Sequence, residues 1–206
     1  MARPCGYDRD DVLRRATALF WERGFASTSI DDVVCATGVS RSSLYAAFPD
    51  KGALFLAALD HYLDTVTRTN LDRLTQGERA APAIRTFLLH IAGQRPQPNA
   101  PLHGCLLTNT AAELGAAHAD VAECVRAAFA RLEQALAARL KEAHRQGDLS
   151  EDTDPKQLAR QLVALIQGLR VMSKIGVEPR LLRDAVQSAL APLRRPDRDA
   201  AVGADE

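Results

Sequence analysis

The 206-residue chain carries 26 basic and 26 acidic residues, a formal net charge of zero, and 47% hydrophobic residues. That balance excludes a wholly disordered chain and a protein that coats nucleic acid through bulk charge. No apolar run reaches the roughly 18 residues of a membrane span, and the start MARPCGYDRDD lacks the apolar centre of a secretory signal, so a soluble, cytoplasmic protein with no membrane partner is expected.

Helical periodicity dominates, and runs of alternating β-branched residues with hairpin turns do not occur. Val12, Ala16, Leu19 and Phe20 stripe a first helix from about Asp8 to Arg23, which Gly24 ends. In ASTSIDD, Ser29 and Asp32 have the spacing of a capping box, opening a short helix from Ile30 to Ala36 that stops at Gly38. Ser40 then caps a third helix, Arg41 to Ala47, closed by Pro49, and Asp50 caps a fourth whose stripe runs from Leu54 to Val66. Gly77 breaks the chain before a fifth helix with Ile84, Phe87, Leu88 and Ile91. The stretch from Gly93 to Gly104 is a loop rich in proline and polar residues. A sixth helix from Cys105 to Leu114 and a seventh ending near Gly147 follow. Asp154-Pro155 and Glu178-Pro179 open the eighth and ninth, each with proline at the first helical position. The expected fold is all-α with about nine helices: a domain over 1–52, a larger helical domain over 53–195, and a flexible tail over 196–206.

Two short helices joined by a glycine turn and docked on a third form a helix-turn-helix, here over about 29–48. Its second helix keeps Val39, Leu44 and Phe48 for the core and offers Ser40, Arg41, Ser42 and Ser43 outward. Small polar residues let a helix approach a major groove; serine hydroxyls bond phosphate, and arginine bonds phosphate or a guanine edge. Thr28 or Ser29, at the start of the preceding helix, and Lys51, in the first turn of the next, are placed to do the same for phosphate. Residues 1–52 hold seven basic and seven acidic side chains, so placement, not bulk charge, carries this reading.

The stretch Ala18 to Leu59 resembles the N-terminal domain of the TetR family of transcriptional regulators. Phe20, Gly24, Phe25, Thr28, Ile30, Val33, Ala36, Gly38, Val39, Ser40, Leu44, Tyr45, Phe48, Lys51, Leu54 and Phe55 all fall at that family's spacing. The resemblance implies a double-stranded DNA operator as partner, contacted by Thr28, Ser29, Ser40, Arg41, Ser42, Ser43, Tyr45 and Lys51. It departs from the family at Ala46 and Ala47, where an aromatic or histidine is common, and at Gly52, which follows the lysine. It also implies a homodimer and a repressor released by a small-molecule effector. Leu162, Leu165, Leu169, Met172, Leu182, Val186 and Leu190 of the last two helices are the expected dimer interface.

An effector pocket needs an apolar wall with a few placed polar groups, for which Tyr62, His90, Cys105, Asn109 and Glu113 are the candidates. HGCLLTNTAAELG, His103 to Gly115, is similar to a stretch in TetR-type regulators that include thiol-reactive sensors. A thiol at a helix start, Cys105, gains nucleophilicity there, whereas a cysteine is as readily a small buried hydrophobe; both readings stand at this point. Cys35 and Cys124 are expected in the core and Cys5 in a mobile tail. Five dispersed histidines and the missing GxSxG, P-loop, HExxH and GxGxxG patterns point to no metal, no cofactor and no enzyme. A helix-turn-helix serving only protein contacts is the remaining alternative.

Overall fold

The computed structural model describes residues 7–93, 104–115 and 117–193. Cys5, most of the proline-rich loop and the tail over 196–206 lie outside the described residues. The elements are α1 (Arg9–Arg23), α2 (Ile30–Thr37), α3 (Arg41–Ala47), α4 (Lys51–Tyr62), a π turn (Leu63–Thr67), α5 (Arg68–Thr75) and α6 (Ala80–Gly93), followed by α7 (Leu106–Leu114), α8 (Ala119–Arg145), α9 (Pro155–Lys174) and α10 (Pro179–Ala189). With α4, the π turn and α5 taken as one uninterrupted helix, the described residues hold nine helices and no strand; Leu149 and Leu193 make an isolated bridge. No helix among them is long and apolar enough to cross a membrane.

Local chemistry accounts for the boundaries. Asp8, Asp50 and Asp154 each accept a hydrogen bond from a backbone N–H within the first turn of α1, α4 and α9, supplying acceptors for orphan donors. Ser29 and Asp32 close a reciprocal capping box on α2. Gly38 ends α2 at φ 73°, the left-handed geometry that lets the chain reverse toward α3. The π turn falls on LDTVT, where Thr65 Oγ donates to the His61 carbonyl at 2.7 Å, loosening the helical ladder. The helix continues past it to Thr75, beyond the stripe visible in the sequence.

The chain forms two compact units. The first contains α1 to α4, the π turn, α7 and the start of α8. Its core is aromatic: Phe20 and Phe55 meet edge-on at 4.9 Å, Phe25 packs on Phe55 at 5.0 Å, and Trp21 meets Tyr62 at 5.0 Å. Buried Thr17 ties α1 to α4 by donating to the Ala58 carbonyl at 3.1 Å. α7 packs on both α1 and α4.

The second unit contains α5 from Thr69, α6, the rest of α8, α9 and α10. Its core is aliphatic, with Leu88, Ile84, Leu136, Leu140, Leu162, Ile166 and Val186 all fully buried. Side chains after α8 brace the start of α6: Gln146 accepts from the Ala80 N–H at 2.9 Å, and Asp148 binds the Arg79 guanidinium.

Candidate nucleic-acid interface

α3 divides cleanly by burial. Leu44 is 2% exposed and, with Val39 and Phe48 on either side of the helix, anchors it to the core, while Arg41, Ser42, Tyr45, Ala46 and Ala47 face solvent. Tyr45 is 45% exposed, so it is not a core residue. Ser40 caps the helix by accepting from the Ser43 N–H at 3.2 Å, and its hydroxyl lies 3.0 Å from that of Ser42 and 2.9 Å from that of Ser43. Three hydroxyls therefore share one small patch, each with a rotatable proton for an incoming phosphate.

Arg41 does not stand alone. Its Nη2 donates to Asp31 Oδ1 of α2, and that hydrogen bond, with the acid's charge, raises the guanidinium above its ordinary pKa. The pairing was not anticipated from the sequence, although Asp31 and Arg41 are both visible there, because only the fold brings residues ten apart together. Arg23 pairs similarly with Asp32. The Ser29 hydroxyl and backbone, then Arg23, hold the Asp32 carboxyl below the usual carboxylate range. Arg14 and Arg15 share Asp11, and Arg9 lies over the Phe48 ring. The reading head is thus a mosaic of internal ion pairs.

Two residues expected to touch phosphate are occupied within the fold. Thr28 is 1% exposed and its hydroxyl donates to the Gly24 carbonyl at 2.7 Å. Lys51 Nζ donates to the carbonyls of Phe25 and Thr28, each at 3.0 Å, and sits 4.2 Å from the centre of the Phe25 ring. A buried hydroxyl and a tethered ammonium shape the α1–α2 turn; in this conformation neither points outward. Ser29 remains exposed at the α2 cap.

The expected pocket residues have different surroundings. The Tyr62 hydroxyl donates to the Cys105 sulfur at 3.6 Å, and both side chains are buried, 3% exposed each. Asn109 is half-buried on α7. Glu113 instead reaches the α1–α2 turn. His90 lines a groove of about 420 Å³ in the second unit, with Arg73, Arg79, Pro82 and Phe87; burial first, then the Arg73 charge, lowers its pKa. Cys35 is exposed and Cys124 half-buried, so neither is the core residue its apolar neighbours suggested.

The expected dimer residues also redistribute. Leu162, Leu169, Leu182, Val186 and Leu190 are all within 1% of full burial, inside the core of the second unit. Leu165 is half-buried and Met172 is 41% exposed. Further open apolar surface lies on the opposite face of α9, where Ala164, Gly168 and Val171 follow one another at helical spacing and Ile175 continues the stripe just past the helix end, with Leu181 on α10.

A helix-turn-helix with an anchored, serine-rich second helix, followed by a larger helical unit, defines a DNA-binding transcriptional regulator. Residues 12–58 match the family described as bacterial regulatory proteins, tetR family, and residues 82–189 match the tetracyclin repressor-like C-terminal domain. The transcriptional repressor ComR of Escherichia coli is 31% identical over 175 residues, 84% of this chain and 83% of ComR. The uncharacterized HTH-type regulator YezE of Bacillus subtilis is 30% identical over 194 residues, 94% of this chain and 100% of YezE. A cysteine-substituted form of the regulator CifR, solved with 26-base-pair operator DNA, superposes with a TM-score of 0.79 at 31% identity, covering 91% of this chain and 98% of CifR. The chain belongs to the TetR family.

Proposed function

We propose that this regulator is a cytoplasmic homodimeric repressor that binds an operator through α3 and is released by a small-molecule effector. The observation that carries the reading is the division of α3, whose apolar face is locked in the core while Ser40, Arg41, Ser42, Ser43 and Tyr45 form a continuous polar face. ComR is named a repressor and CifR was solved on operator DNA, which supports the same role here. The Ala164–Gly168–Val171–Ile175 stripe supports the dimer: small residues let two copies of α9 approach closely, and a two-fold protein pairs two half-sites one DNA turn apart. The test is a binding titration against DNA flanking its own gene at two salt concentrations. Selective binding that weakens steeply with salt is expected; binding equal to that of an unrelated duplex at both concentrations rejects the reading.

The GC-L-L-x-N run at Gly104 to Asn109 suggests a subgroup, and a thiol-sensing variant of the function rests on one observation. The Tyr62 hydroxyl donates to the buried Cys105 sulfur, so the thiol at the start of α7 has a polar partner within the fold. On this reading Cys105→Ser abolishes release by an alkylating agent or oxidant, and unchanged release rejects it.

A further inference from the structure

The α1–α2 turn is gripped from two sides. From α7, the two oxygens of Glu113 accept from the backbone N–H groups of Phe25 at 3.0 Å and Ala26 at 2.6 Å. From α4, Lys51 takes the carbonyls of Phe25 and Thr28. Successive N–H groups turned the same way make a concave nest for an anion. Gly24 permits it: its φ of 84° suits glycine, and a Cβ there would stand 2.7 Å from Glu113 Oε2. The His118 ring closes over Phe25 at 5.6 Å. The turn leads directly into Ser29, the cap of α2, and α2 carries Asp31, the partner of Arg41.

We propose that Glu113 is a positioning residue for DNA binding. Its carboxylate fixes the turn, the turn fixes the direction in which α2 and α3 leave α1, and the placement of α7 thereby sets operator affinity. This rests on the operator-binding reading above. A carboxylate is the group that satisfies both N–H donors at once; the isosteric amide offers one oxygen and turns its NH₂ against the second donor. Because α7 packs on α1 and α4, a shift of α7 by an ångström or so stretches both bonds past useful length. Such a shift weakens DNA binding without anything touching the DNA-facing surface.

Hydrogen exchange without DNA, on wild type, Glu113→Gln and Glu113→Ala, is the first arm of the test. The Phe25 and Ala26 amides are expected to exchange about tenfold faster in both variants, with the α1 core amides unchanged. In the second arm, both variants bind the wild-type operator about tenfold more weakly, the loss expected for a hydrogen bond to a charged group, and bind an unrelated duplex as wild type does. Faster exchange throughout the unit with equal weakening on both duplexes means a merely structural role and overturns the proposal. So does unchanged exchange at the turn, or a loosened turn with unchanged operator affinity. If wild type binds no duplex selectively, the operator reading fails and takes this proposal with it. A wild-type operator that Glu113→Gln binds equally well sinks the proposal alone.

Discussion

α3 and α9 are both helices with one face buried, yet their open faces are opposite in kind. On α3 the open face is serine, arginine and tyrosine over a leucine anchor; on α9 it is alanine, glycine, valine and isoleucine over a leucine-rich core. A polar face of short side chains matches a hydrated, phosphate-lined groove, where close approach and hydrogen bonding decide affinity. A face of small apolar residues matches another protein surface, because leaving it in water is unfavourable by about 25 cal/mol for each Å². What the buried side of a helix contains is similar in both; the exposed side distinguishes the partner.

The sharpest way to break that comparison is to charge the α9 face. Val171→Asp with Ile175→Asp adds like charges to a surface that is already exposed, so the monomer stays folded. The pair is expected to give a monomer by light scattering and to lower operator affinity about a hundredfold or more, since each head alone loses the gain from linkage. Leu169→Ala, on the same helix but 1% exposed, acts differently: a cavity there costs about 2–5 kcal/mol of stability. If the charged pair remains dimeric, the open stripe is not the interface.

The polar face is tested next. Arg41→Ala is expected to weaken operator binding by about tenfold or more, because the dimer loses one guanidinium contact at each half-site, with a salt slope reduced by about two. Lys51→Ala belongs to another class. Its ammonium holds two turn carbonyls, so the variant is expected to lower the melting temperature as well as affinity, with calorimetry separating the two. An Arg41→Ala protein that binds as tightly as wild type would remove α3 from the interface.

A smaller effect of opposite sign is expected at Asp31. In free protein the Arg41 guanidinium is bound by this carboxylate, and DNA must compete for it while the acid repels phosphate. Asp31→Asn keeps the shape and removes the charge, so binding to the operator and to an unrelated duplex should both tighten several-fold, with the selectivity between them reduced. Weaker binding in this variant would mean that Asp31 orients Arg41 for its contact.

Much of this fold was legible in the sequence. Gly24 and Gly38, the caps at Ser29, Ser40 and Asp50, and the two proline starts are local signals, and each falls where the structure ends or begins a helix. What could not be read was long-range. Leu162 and Val171 are both apolar residues of one helix, and nothing local says that the first faces its own core and the second faces out. Glu113 reads as a pocket candidate and Asp31 as an ordinary surface acid until the chain brings them to Phe25 and Arg41, 88 and 10 residues away. Thr28 and Lys51 carry DNA-compatible chemistry and sit at the right spacing, but their polar atoms meet carbonyls first.

The smallest expected effect concerns pH and the start of α2. The Asp32 carboxyl is held below its ordinary value of 3.8, first by the Ser29 hydroxyl and backbone, then by Arg23. A depressed carboxylate pKa means that the folded state binds the charged form more strongly than the unfolded chain does. Its contribution is therefore complete above the unfolded value and is lost as pH falls through the folded one. Asp32→Asn removes that contribution at every pH. The melting temperature of wild type should exceed that of Asp32→Asn at neutral pH, and the gap should close as the pH is taken below the ordinary carboxylate value. Because the group is exposed, salt screens the Arg23 part of the effect, while the two bonds from Ser29 persist. A gap that is constant down to the acid limit would show that the asparagine variant loses packing or capping geometry, with the charge on Asp32 contributing nothing to the position of α2.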